Sequence, residues 1–187
     1  MDVSTIVIII IVGLLFLLTF YVIGVYNKLV NARNKVDNQF SQIDVQLKRR
    51  ADLIPNLVET VKGYAKHEEG TLTAVIEARN MAVSAGSVNE KIDANNQLTG
   101  ALNKLFALSE AYPDLKANTN FMDLQNQLKE VEDKITYARQ FYNDSVLMYN
   151  NKIEMFPSNL VASIFGFKME TFFEADEKER ENVKVKF

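Results

Sequence analysis

The only histidine of this 187-residue chain, His67, stands directly before two glutamates in the run HEEGT. A His-Glu pair invites comparison with the H-E-x-x-H pattern, in which two histidines one helical turn apart hold zinc and the glutamate activates water. Here the second ligand position is Thr71. Zinc selects nitrogen and sulfur donors, so a metal-dependent hydrolase built from His67 and neighbouring carboxylates is the weaker reading. A polar histidine near a helix end is the stronger one. Arg49, Arg50 and Asp52 cluster beside Pro55, but no nucleophile or general base accompanies them. They are expected to pair across helices at a corner. The chain has no cysteine, which removes thiol nucleophiles, disulfides, cysteine zinc sites and a lipidated cysteine anchor. A net charge of −3 lacks the basic excess of a nucleic-acid binder. No catalytic residue, metal ligand or cofactor is assigned.

Two short patterns recur. Tyr-Asn followed three residues later by Val or Ile occurs at Tyr26-Asn27, Tyr142-Asn143 and Tyr149-Asn150, and Ala-Arg occurs at Arg33, Arg79 and Arg139. One reading is a polar surface that grips a partner. The other, favoured here, is that the tyrosines bury their rings and wet their hydroxyls, while the arginines pair with some of the 24 acidic residues between helices. The candidate structural or interaction residues are therefore Arg33, Arg50, Asp52, Pro55, Arg79, Arg139, Tyr142, Asn143, Tyr149 and Asn150.

The elements that position these residues are helical. Residues 6–25, IVIIIIVGLLFLLTFYVIGV, are 20 almost wholly apolar positions. As a helix they span about 30 Å, the thickness of a bilayer's hydrocarbon core. The short, acidic n-region and the bulky Phe16, Phe20 and Tyr21 argue for a retained transmembrane helix over a cleaved signal peptide. Lys28, Arg33 and Lys35 follow the span and no Lys or Arg precedes it, which predicts an outside N-terminus and a cytoplasmic remainder.

Beyond the span, Val36, Phe40, Ile43, Leu47, Ile54, Leu57, Val61 and Tyr64 recur at spacings of four and three, with Arg50 in the one skipped position. That 3.5-residue period marks helices packed side by side. It crosses Pro55 without changing phase, so the proline sits either in a bent helix or in the first turn of a new helix beginning near Asp52. A further helix is expected from about residue 71 to 85, either separate or continuing the previous one through Gly70. Another is expected from about 89 to 111. The longest runs from an N-cap at Asn120 to Pro157, about 36 residues and roughly 54 Å. Three or four such helices with short connections make an antiparallel up-and-down bundle, and the fold class is all-α. Residues 1–27 read as the membrane anchor, 28–167 as the bundle and 168–187 as a charged tail. The phenylalanines at 165, 167, 172 and 173 either dip into a membrane surface or fold back over the bundle's open end.

The stretches YNKLVNARNKVDNQFSQIDVQLKRRADLIPNLVETVKGYAKHE, TLTAVIEARNMA, LFALSEAYPDLKANTNFMDLQNQLKEVEDKITYARQFYNDSVLMYNNKIEMFPSNLVASIFGF and FFEA resemble the LemA family of bacterial membrane proteins, over nearly the whole chain. DLIPNLV is the most specific of these motifs. Gln39-Phe40 stands where the family more usually has Ala-Trp. The resemblance implies one N-terminal transmembrane helix, an antiparallel helical bundle and no established enzymatic activity. It also implies adaptor or membrane-organising roles, since members occur beside membrane-protease genes and among magnetosome-membrane proteins.

Together these observations predict a non-enzymatic scaffold or adaptor in a bacterial cell membrane. It would self-associate as a homo-oligomer, organise other membrane proteins such as membrane proteases, or both. A laterally assembling, membrane-shaping protein is the alternative. The bilayer is the expected partner surface and nucleic acid is not.

Overall fold

The computed structural model describes residues 2–65 and 67–173, and the charged run expected from Glu174 onwards lies outside the described residues. The chain is all-α, as the periodicity requires. In order the helices are α1 Val3–Lys62, α2 Glu69–Ser84, α3 Val88–Ser109, α4 Pro113–Lys116, α5 Thr119–Glu154 and α6 Ser158–Ile164. The described residues fall into two compact units, one of 2–39 with Phe141–Phe172 and the other of Phe40–Gln140 with Phe173.

The first unit begins with the apolar start of α1, whose side chains are exposed along a run long enough to cross a membrane. Thr19 interrupts this run, but its hydroxyl donates to the Leu15 carbonyl at 2.8 Å, so the helix satisfies its own polar group. Further on, Leu29 of α1 and Val161 and Ala162 of α6 form a small buried cluster, with Val22, Val25, Ile153 and Phe167 packed around it. Gly166 ends α6 with φ +71°, and the Phe167 N–H reaches the Ala162 carbonyl at 3.0 Å. This is a Schellman turn, and only glycine adopts its left-handed residue without steric cost.

The second unit is the helical bundle. Ile54, Leu57 and Val61 of α1 meet Leu72 and Val75 of α2, Leu98, Leu102 and Leu105 of α3, Leu115 of α4, and Phe121 and Leu128 of α5. Burying each such side chain contributes on the order of 1.5–3 kcal/mol. Several helix ends differ from expectation. The helix does not restart near Asp52, because α1 runs unbroken through Pro55 to Lys62. Helix α2 is a separate element beginning at Glu69. Helix α3 begins at Val88, since Ser87 and Glu90 form a reciprocal capping box. Those bonds from the Ser87 and Gly86 N–H groups hold the Glu90 carboxyl below its ordinary range. The cap of α5 is Asn118, not Asn120: its side-chain oxygen accepts the Phe121 N–H at 2.9 Å.

Candidate functional site

Pro55 is exposed on α1, and its effect appears one turn earlier. Proline has no N–H to offer the carbonyl of the residue four before it, which is Ala51. Arg79 of α2 supplies the missing donor, its Nε bonding the Ala51 carbonyl at 3.4 Å. Arg79 thus serves a backbone carbonyl and, through Nη1, the Asn80 side-chain oxygen at 3.3 Å, where the sequence suggested a carboxylate. The expected corner is not at Pro55 either. It lies between the end of α1 at Lys62 and the start of α2 at Glu69, where Tyr64 Oη accepts from Asn118 Nδ2 at 2.9 Å and Tyr112 donates to Glu68 at 3.0 Å. That contact with Glu68 raises the Tyr112 hydroxyl above its usual range. Glu68 is therefore a cross-tie, and His67 beside it is exposed. Among the described residues no three His, Asp or Glu side chains converge as a metal would need.

Arg50 is the most deeply committed charge. It is buried in the seam of α1, and its Nη1 donates to Asn95 Oδ1 at 2.7 Å and to Thr99 Oγ1 at 3.0 Å. Glu132 of α5 approaches the same nitrogen to 2.9 Å. Burial pulls the guanidinium below its usual range and the Glu132 charge opposes that. The group stays a cation and offers no proton chemistry. Asn95, Thr99 and Glu132 were not among the candidates, yet a signal exists. Ile92, Asn95, Thr99 and Leu102 keep the three-four beat, with two polar residues in seam positions. Neither Arg49 nor Asp52 joins this layer. Both are exposed, and Asp52 instead lines an open groove of about 600 Å³ with Lys48, Arg79 and the 2.5 Å Asp44–Lys91 pair. Arg139, buried on α5, places its guanidinium 4.6 Å from the centre of the Phe173 ring.

In the first unit the Tyr-Asn pattern holds backbone. Asn150 accepts the Glu170 N–H and donates to the Glu170 carbonyl, both at 2.9 Å. A side-chain amide thereby acts as a peptide group would in a ladder. Tyr142 donates to the Thr171 carbonyl at 2.9 Å. Burial, with the Glu170 and Asp37 charges, pushes the Tyr142 hydroxyl up to about 12. Tyr149 is buried on the same helix and shifted upward by burial, against the pull of Arg33. Asn143 is half-buried on α5. Arg33 is exposed and borders a cleft of about 300 Å³ with Tyr26, Asp37 and Phe165.

Of the candidates, then, Arg79 and Pro55 form one pair in the second unit, while Tyr142 and Asn150 both hold residues 170–171 in the first. Nowhere among the described residues do they assemble a nucleophile, a base and an acceptor site. Residues 39–187 match the LemA family model. Protein LemA of Metamycoplasma hominis is 30% identical over 168 residues, covering 88% of this chain and 75% of that protein. Magnetosome protein MamQ 2 of Paramagnetospirillum magneticum is 26% identical over 175 residues, covering 80% of this chain and 64% of its own length. Magnetosome protein MamQ of Magnetospirillum gryphiswaldense is 26% identical over 174 residues, covering 79% and 64%. The chain thus spans just under two thirds of the MamQ relatives it matches.

Proposed function

This chain belongs to the LemA family, and from its apolar helix and inward-committed polar groups we propose that it is a membrane-anchored, non-catalytic scaffold. It self-associates and holds other membrane proteins near the bilayer. The observation that carries this reading lies on α5. Phe141 and Met148, one heptad apart on one face, are 60% and 51% exposed. Large apolar side chains repeating at seven residues suit a partner helix better than solvent. Buried Arg50, Tyr142 and Asn150 are meanwhile committed to contacts inside the fold, so they are not offered to a partner. Relatives named as magnetosome proteins support a role in organising a membrane assembly. Anchoring every copy in one membrane plane raises effective concentration and favours such weak lateral contacts.

Single cysteines replace Met148 or, beside the membrane, Asn34, in this naturally cysteine-free chain. Oxidation in native membranes is expected to give disulfide-linked dimers of at least one variant. An exposed control, Asp133→Cys, stays monomeric. Absence of dimers from both Met148→Cys and Asn34→Cys would remove self-association. Metal analysis of detergent-purified protein beside the His67→Ala variant tests the competing hydrolase reading. A stoichiometric metal lost in that variant would favour it.

A further inference from the structure

The connection between α5 and the C-terminal segment contains a long uncharged stretch. Residues 155–167, MFPSNLVASIFGF, carry no charge and are bounded by Glu154 and Lys168. Helix α6 within it turns Val161 and Ala162 inward, where they pack on Leu29, Val22 and Val25 of α1. Its other face is open: Phe156 and Ile164 are each 78% exposed and Leu160 56%. A soluble protein seldom leaves large apolar side chains this bare in one short segment.

The position of α6 along α1 says what covers that face. Val22 and Val25 are the last residues of the apolar span, and Leu29 is one turn beyond it. A segment docked on Val22 therefore sits about 5 Å below the last residue of the span, at the depth where interfacial helices lie. Tyr26 marks the same level. Its ring lies 4.9 Å from that of Phe165 and 5.6 Å from that of Phe167, an aromatic cluster where the aromatic belt of a membrane protein belongs. The Schellman turn at Gly166 swings Phe167 back onto that cluster.

We infer that residues 156–165 form a second, monotopic membrane element. They are docked on the chain's own span and immersed by Phe156, Leu160 and Ile164 in the headgroup–acyl boundary of the leaflet that α1 leaves. The span is thereby held by two points in the membrane, which fixes its tilt and rotation. This rests on α1 crossing the bilayer, so the test separates the two claims.

The chain contains no tryptophan, so one introduced indole reports one position. Full-length Phe16→Trp, Ile164→Trp and Val45→Trp are reconstituted in phosphatidylcholine vesicles, with and without lipids brominated on the acyl chain. Phe16→Trp reports the span. Val45 is exposed on α1 about 30 Å past the last residue of the span and serves as the aqueous reference. Ile164→Trp is expected to be quenched by brominated lipid several-fold more than Val45→Trp, with blue-shifted emission and protection from acrylamide. Phe165→Trp, the more conservative change, is expected to behave alike. Strong quenching of Phe16→Trp with none at either position 164 or 165 overturns the inference alone. Protection of those two from both quenchers also overturns it, since protein would then cover the face. An unquenched Phe16→Trp removes the span and the inference together.

Discussion

At the scale of single residues, the proline motif and the arginine twenty-four positions later are one device. If Arg79 is present because Pro55 leaves the Ala51 carbonyl without a donor, the two are thermodynamically coupled. Arg79→Ala is expected to destabilise the chain by about 1 kcal/mol, the worth of one hydrogen bond. In a Pro55→Ala background the restored backbone N–H serves the Ala51 carbonyl within the helix. There the same change is expected to cost measurably less. Pro55→Ala alone shifts stability by about 1 kcal/mol or less. Denaturant unfolding followed by circular dichroism in detergent checks the cycle, and equal costs in both backgrounds would break the link. Tyr142 gives a second residue-scale expectation. Its folded-state value near 12 exceeds the ordinary value of 10.0, so the folded state holds the proton more tightly. That stabilisation is complete below pH 10 and disappears as pH rises from about 10 through about 12. Tyr142→Phe, lacking the proton, is expected to lose less stability across that window than the parent, as measured by unfolding at about pH 9 and about pH 11.5.

At the scale of elements, the bundle is held in register by a polar layer inside an apolar seam. Arg50→Ala removes the cation and leaves Glu132 and Asn95 without their shared partner, a change expected to cost about 3 kcal/mol. Glu132 retains 31% exposure in its side chain, which keeps the cost at the lower end. The triple change Arg50→Met, Asn95→Leu, Glu132→Leu fills the layer with apolar volume and is expected to recover most of that loss. Thermal unfolding of the three proteins checks this, and a triple variant no better than Arg50→Ala would show that the layer contributes stability through more than its charges. Element boundaries were less legible than element types. The capping box Ser87-Val88-Asn89-Glu90 is readable from spacing, yet the expected helix start at about 89 passes over it. The end of α1 was hidden because its heptad phase continues through Tyr64 although the backbone stops at Lys62.

At the scale of the whole molecule, the charge asymmetry around the span predicts the sidedness of everything after it. A C-terminal reporter enzyme that works only after export is expected to be inactive, and one that works only in the cytoplasm active. Strong activity of the exported reporter would invert the topology and place α6 at the outer leaflet.

The sequence by itself determined the all-α class, the apolar span and the buried seam through Ile54, Leu57 and Val61, because these follow from composition and from a 3.5-residue period that any packed helix must obey. It also limited the chemistry, since a chain with no cysteine has no thiol nucleophile, disulfide or cysteine zinc site. Only the tertiary structure decided what the repeated Tyr-Asn and Ala-Arg motifs do. Their partners include backbone atoms and a ring distant along the chain: the Glu170 and Thr171 peptides, the Ala51 carbonyl and Phe173. A backbone carbonyl has no letter in a sequence, so a side chain that serves one looks like an unpaired polar residue until the fold brings the two together.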